Sequence, residues 1–290
     1  ERSRGNRSIF SGALSQAMED CLARNEQMML FINRRGYSTF LMCRGCGYVV
    51  QCEDCDVSMT YHRTDYRELL RCHYCGKTET PPSLCPVCGK PYLKQFGIGT
   101  QQVEEQVKLH FPSARILRMD ADTTQEKDAH LKILQAFAQK QADVLIGTQM
   151  IAKGHDFENV TLVGVLAADS SLYVPDYRSA ERTFQLITQV AGRAGRGTLP
   201  GKVIVQTYHP DHFAIQAAVK QDYRQFYAQE IQHRKAAQFP PYAQFIRLLF
   251  RGAQAAVKKA CLDSVATLSA YFANQHIQPL QFDYGSAPIA

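Results

Sequence analysis

Two absences bound this 290-residue sequence. No run of about 18 apolar residues occurs, so no segment is long enough to cross a bilayer as a helix. The opening Glu1-Arg2-Ser3-Arg4 has no apolar stretch behind it that could serve as a secretory signal, and the expectation is a cytoplasmic chain with no membrane partner. The second absence is a phosphate-cradling loop. No Gly-x₄-Gly-Lys-[Ser/Thr] string is present, because Gly197 and Gly201-Lys202 are wrongly spaced and lead into a strand, and there is no Asp-Glu-x-His string. Low-complexity tracts are missing too, and four cysteine pairs are the only internal repeat.

What is present suits a globular chain. Hydrophobic residues make up 45%, enough for a real core, and the length suggests roughly two domains. Ten cysteines are too few for a disulfide scaffold of this size, and they are unevenly placed. Eight fall in four Cys-x-x-Cys pairs between Cys43 and Cys88, while Cys21 and Cys261 stand alone in amphipathic stretches and read as buried core thiols. The formal charge of +6 suggests nucleic acid, but eight thiolates on two Zn²⁺ would remove four charges and leave about +2. Local placement of arginines has to carry any nucleic-acid reading.

Short β-branched runs alternate with helix-period segments, the pattern of a parallel sheet covered by helices. Strands are expected at Met28-Ile32, Arg115-Met119, Asp143-Gly147, Thr161-Ala167 and Lys202-Tyr208. Helices are expected at Ile9-Arg24, Gln101-His110, Gln125-Gln139 and Ser179-Val190. The cysteine block, 43–90, interrupts this alternation as an insertion after an early strand, so its ends must lie close together. The expected organisation is a lobe begun in 1–42 and resumed in 91–208, a helical connector at 209–241 and an incomplete small α+β domain at 242–290. The connector is expected to hold one long polar helix, about Asp211 to Ala237, closing at Phe239-Pro240-Pro241. Beyond it, Phe245-Phe250 reads as a strand, Ala253-Asn274 as a helix and Leu280-Tyr284 as a short strand.

The pairs are Cys43/Cys46, Cys52/Cys55, Cys72/Cys75 and Cys85/Cys88. Each is a knuckle whose two thiolates can grip one face of a tetrahedral ion, and Gly47, Gly76 and Gly89 follow where φ > 0 is often needed; Asp56 stands in that place in the second pair. Sixteen residues separate Cys55 from Cys72, a ribbon spacing, which leaves Cys43, Cys46, Cys85 and Cys88 for an outer site. A cross-braced arrangement, first pair with third, stays open. Eight cysteines fill two tetrahedra, so His62 and His73 read as surface or neighbouring residues, and metals with no open position are structural. Disulfides, a redox dithiol and an iron–sulfur cluster are the rival readings, disfavoured by compartment, by repetition and by the glycine-closed spacing.

The other chemistry-bearing strings are Gln189-x-x-Gly192-Arg193-x-Gly195-Arg196, Gly147-Thr148-Gln149 continuing through Lys153-Gly154-His155-Asp156, and Asn33-Arg34-Arg35-Gly36-Tyr37. Two guanidiniums three apart on a helix made compact by glycine can approach a triphosphate in a cleft. A buried strand ending in a Gly-Thr turn offers hydroxyl and amides to phosphates. A strand ending in a basic turn lies at the carboxyl edge, where ligands gather in open α/β folds.

These strings resemble the sixth, fifth and fourth motifs of superfamily-2 helicases. With the four-knuckle insert, Gly97-Ile-Gly99-Thr100 and Pro175-Asp-Tyr-Arg-Ser-Ala-Glu-Arg in this order, residues from about 25 to 240 are similar to the PriA family of replication-restart DNA helicases. One departure is Gln101, where the family often has Glu. The resemblance implies a RecA-like second motor lobe with a two-zinc insertion, working 3′→5′ on ATP and Mg²⁺ that an N-terminal lobe holds. By it Arg193, Arg196 and Gln189 serve catalysis, with the arginines as fingers on the γ-phosphoryl charge. Gly154 and Asp156 couple nucleotide to DNA. Thr148, Gln149, Lys153, Arg34 and Arg35 contact DNA. Implied partners are forked and single-stranded DNA, primosome proteins and single-strand-binding protein, around a monomer. This stretch alone is expected to hydrolyse no ATP.

Two rivals remain. A nicotinamide binder would use Gly97-x-Gly99 with Asp120, though its third glycine is missing. A non-catalytic zinc-ribbon docking module would leave the α/β lobe as scaffold.

Overall fold

The computed structural model describes residues 8–32, 40–54, 57–63, 68–72, 76–95, 99–120, 122–124, 128–148, 150–151, 157–174, 176–244, 248, 250, 252 and 254–275. In chain order, α1 (Gly12–Ala23) and β1 (Gln27–Ile32) begin the lobe. The insert contributes β2 (Leu41–Cys43), β3 (Thr60–Arg63), β4 (Glu68–Arg71), β5 (Thr78–Glu79) and β6 (Leu93–Gln95). The lobe resumes with α2 (Thr100–His110), β7 (Ile116–Met119), α3 (Ala129–Ala138), β8 (Val144–Gly147), β9 (Val160–Leu166), α4 (Asp169–Leu172), α5 (Ser179–Ala191) and β10 (Lys202–Val205). Helices α6 (Phe213–Val219), α7 (Tyr223–Ala236) and α8 (Gln254–Asn274) follow.

Five strands form a parallel sheet in the order β10-β9-β1-β8-β7. The central β1 is buried at every position because both its faces are covered. Its side chains alternate. Met28, Leu30 and Ile32 meet Leu14 and Met18 of α1 and Val103 and Val107 of α2 on one face. Met29 and Phe31 belong to the other core, with Phe137 of α3, Phe184 and Ile187 of α5 and Ile215 of α6. Gly164 of β9 lets α1 come close, since a Cβ there would lie 2.8 Å from Leu30 and 3.1 Å from Leu14. Chain connections leave β1 and β9 in opposite directions, so the switch point of the sheet lies at their carboxyl ends.

The insert closes on itself where it leaves and rejoins the lobe. β2 and β6 pair antiparallel, Leu41 with Gln95 and Cys43 with Leu93, a ladder that starts and ends outside the 43–90 block. β3, β4 and β5 make a separate antiparallel sheet. Among the described residues no helix is long and apolar enough to cross a membrane.

Several boundaries differ from the sequence-based expectation. α1 starts at Gly12 because the Ser11 hydroxyl accepts from the Leu14 amide and caps it. α3 starts at Ala129, after Asp128 at φ +67. β10 ends at Val205 because the Tyr208 amide leaves the ladder for the Asp169 carboxylate. The expected long helix from 211 to 237 is two helices: Gln221 has φ +54, and the Asp222 side chain accepts from the Gln225 amide to start α7 afresh. Cys21 is fully buried as expected, but Cys261 is only half-buried, on a helix with no fully buried residue among those described. The strand expected at 245–250 falls mostly, and the one at 280–284 wholly, outside the described residues.

His212 caps α6 through its ring, Nδ1 accepting from the Ala214 amide at 3.2 Å, which requires a neutral imidazole. Burial, with help from His209 and His233, holds its pKa down at about 4 against an ordinary 6.5. The unfolded chain therefore takes up the proton first, and stability present above about pH 6.5 is lost as pH falls toward 4, by about 2–3 kcal/mol. Chemical denaturation across this range is expected to show the decline, and His212→Asn, which keeps a cap acceptor without titrating, to flatten it.

Candidate functional site

Four first cysteines set the same backbone pattern. The amides of Cys43, Cys52, Cys72 and Cys85 donate to the carbonyls of Tyr48, Val57, Lys77 and Lys90, each five residues on. The amides of Gly47, Gly76 and Gly89 return to Cys43, Cys72 and Cys85, and these glycines have φ of +83, +79 and +68. A tight turn of this kind brings both sulfurs of a pair to one side.

The first and fourth knuckles come together. The sulfurs of Cys43, Cys46, Cys85 and Cys88 all lie within 4.8 Å of one another, with Cys43–Cys88 and Cys46–Cys85 both at 3.6 Å. A tetrahedral ion with Zn–S of about 2.3 Å needs sulfurs about 3.8 Å apart, so the set fits zinc and is far too wide for a disulfide. This is the nested outer set, and the cross-braced pairing of first with third knuckle does not occur. Burial pushes Cys46 up to about 12, aided by the neighbouring thiols. At Cys85 burial works the same way but is outweighed by the amides of Cys88 and Val87, which bring it to about 7. Four sulfurs this close cannot all ionise without a cation among them.

Cys52 and Cys72 of the inner set are both buried, packed with Leu41, Val50, Met59 and Leu70. Their partners Cys55 and Cys75 lie outside the described residues, as does His73. His62 sits half-buried on β3, its pKa lowered by burial and by Arg71.

The arginine string lies elsewhere than the open carboxyl edge. α5 runs back along the sheet, and after it the Gly195 amide donates to Val160 at the start of β9 (3.0 Å). There it meets the segment that begins with Thr148: Gly197 is so close to Glu158 that a Cβ would lie 2.4 Å from its carbonyl oxygen. Thr148, half-buried, follows the carboxyl end of β8. Arg193 is half-buried, Gln189 and Arg196 are exposed, and the Arg196 Nε donates to the Gly192 carbonyl at 2.6 Å. Gln149, Lys153, Gly154, Asp156, Arg34 and Arg35 lie outside the described residues.

Charged residues after 175 tie helices together. Asp176 holds Arg178 at 3.0 Å and Arg182 at 2.9 Å. Arg234 of α7 bridges Glu181 and Glu230, both at 2.7 Å, and its guanidinium and that of Arg178 lie over Tyr177 at 5.2 and 5.3 Å. Sequence reasoning gave Asp120 only to a nicotinamide rival, and it missed Asp169 and His209. Asp120 is buried and accepts from Thr100, Thr123 and Asp122, so the acidic residue of a nicotinamide reading is already engaged inside the chain. Gln101 is exposed beside it. Asp169 is fully buried, where desolvation raises its pKa against hydrogen bonds from Tyr208 and Thr207. His209 places Nε2 2.9 Å from the carbonyl oxygen of Gly47. The one local signal was an acid close behind a strand, directly after β7 at Asp120 and three residues after β9 at Asp169.

Residues 52–79 match the Cys-rich region domain of PriA DNA helicases, and residues 95–198 match the helicase conserved C-terminal domain. The replication restart protein PriA of Bacillus subtilis (strain 168) is 57% identical over 238 residues, which cover 82% of this chain and 29% of that protein. Its namesake in Synechocystis sp. is 50% identical over 92% of this chain and 32% of that protein, and that of Haemophilus influenzae 38% identical over 94% and 37%. The chain thus spans about a third of the length of the curated relatives it matches.

The glycines of the arginine string carry unequal demands. Gly195 has φ +70, and a Cβ would lie 2.6 Å from the Gly201 amide nitrogen, whereas a Cβ on Gly192 meets nothing nearer than 3.6 Å. Gly195→Ala is expected to cost at least about 1–3 kcal/mol in chemical denaturation and Gly192→Ala less than about 1 kcal/mol. Equal costs would contradict this packing.

Proposed function

We propose that this chain, which belongs to the PriA family of replication restart proteins over the third of their length that it spans, is the second motor lobe of an ATP-dependent 3′→5′ DNA helicase with two structural zinc sites in its insert. The observation that carries the reading is the meeting of Gly195–Gly197 with the exit of the Thr148 segment at Glu158 and Val160. In this reading a shift at the arginines reaches Glu158 and Val160, where the stretch of chain that follows Thr148 joins β9.

In this reading Arg193 and Arg196 face the triphosphate of ATP held with Mg²⁺ by the N-terminal lobe of the complete protein, with Gln189 beside them, and Gly154 and Asp156 relay the change. Thr148, Gln149 and Lys153, with Arg34 and Arg35, hold single-stranded DNA through its phosphates. The lobe by itself lacks a phosphate cradle and turns over no ATP. Zinc supplies cross-links with every position filled by thiolate, at Cys43, Cys46, Cys85 and Cys88 and at Cys52, Cys55, Cys72 and Cys75. The inner site is supported by the matching backbone turns at Cys52 and Cys72. Forked DNA, primosome proteins and single-strand-binding protein are the proposed partners of a cytoplasmic monomer.

Arg196→Ala in the complete protein is expected to lower DNA-stimulated ATP turnover by about 10³-fold, since such fingers contribute that much elsewhere; unchanged turnover removes Arg196 from the role. Metal analysis of the purified chain is expected to return two zinc ions. Cys52→Ser should leave one, with the β3–β5 part of the insert disordered and the parallel sheet intact by circular dichroism. A single ion in the parent would refute the inner site.

A further inference from the structure

Ala167, directly after β9, has φ +53 although it is not glycine. Such a backbone persists only where its surroundings hold it. Those surroundings come from the insert and the stretch that leads into it: Phe40, Met42 and Val49 form one buried cluster with Ala167, and Tyr173 and Tyr208 pack against it. Asp169, two residues on, is fully buried and accepts from the Thr207 hydroxyl at 2.8 Å and the Tyr208 amide at 3.0 Å. His209 follows. Its Nε2 lies 2.9 Å from the Gly47 carbonyl oxygen, which can only accept, so Nε2 carries the proton. Its ring meets Tyr173 edge-on at 5.4 Å, and Tyr173 packs against Phe40 at 5.6 Å.

Gly47 is the left-handed glycine of the Cys43/Cys46 knuckle, and it is hemmed in. A Cβ there would lie 2.8 Å from the Tyr208 Cβ and 3.1 Å from the His209 Nε2. Gly47 of the outer metal knuckle thus touches 207–209, and the residues that flank the knuckle, Met42 and Val49, pack on Ala167, so the knuckle and its flanks reach both segments that follow β9 and β10. The inner cysteines belong to a different apolar cluster.

We infer that the outer zinc knuckle is a clamp on the turn after β9, with His209 and Asp169 as positioning residues that hold Ala167 and the lead into α4 and α5. The clamp keeps insert and lobe moving as one body. Its consequence for turnover rests on the motor reading; the clamp itself does not.

Amide hydrogen exchange on the zinc-loaded chain tests it. In His209→Ala, with zinc content at the parent level, exchange across 167–173 is expected to rise about tenfold while 144–147 in β8 stays at the parent rate. His209→Gln, whose side-chain amide can donate to Gly47, should restore protection. So should Ala167→Gly in the His209→Ala background, because glycine takes the left-handed conformation unaided. Parent-like exchange at 167–173 in zinc-loaded His209→Ala overturns the clamp. Should that variant fail to fold, removing zinc from the parent decides, and unchanged exchange at 167–173 is the overturning result. In the complete protein His209→Ala is expected to lower the DNA-stimulated part of ATP turnover about tenfold and spare the DNA-free part. Faster exchange without that loss would sever the clamp from the motor, whereas a parent without ATP turnover would defeat the motor reading and leave the clamp standing.

Discussion

A parallel sheet tolerates a long interruption only if the interruption begins and ends at neighbouring points. Here that constraint is met by one short antiparallel ladder, Leu41–Cys43 against Leu93–Gln95. The ladder does more than close a loop, because Cys43 belongs both to it and to the outer set of four sulfurs. Closure of the insert and capture of a metal are therefore one event. Gly47 of the same knuckle rests on Tyr208 and His209 after β10, so lobe and insert share a wall.

The lobe itself follows from ordinary packing. β1 is apolar on both faces because helices cover both, and two separate cores divide its side chains by parity. That arrangement leaves the carboxyl ends of β1 and β9 as the switch point, the place where an α/β sheet most readily accepts a ligand. The arginine string sits at the opposite end, against Glu158 and the start of β9.

Much of this was legible in the residues. Cysteine spacing pointed to an outer and an inner set, and geometry then chose the nested pairing over the cross-braced one for the outer four. Buried runs such as Met28-Ile32 and Asp143-Gly147 located strands to within a residue. The failures have physical causes. Local pattern could not tell which end of the sheet receives Gln189–Arg196, because that depends on the antiparallel return of α5. The break at Gln221 was hidden because Gln, unlike Gly, does not announce a left-handed turn, although Asp222 was a readable cap. Asp169 and His209 gain their meaning only from contacts with residues 38 to 162 positions away in the chain.

The closeness of the four outer sulfurs has a bearing on assembly. Thiols within 4.8 Å of one another cannot all be charged at once, so a cation that enters among them must expel protons as it binds. Its hold on the insert therefore slackens in acid. The ladder that closes the insert shares Cys43 with that cluster, so the fastening of the insert to the lobe inherits the same sensitivity.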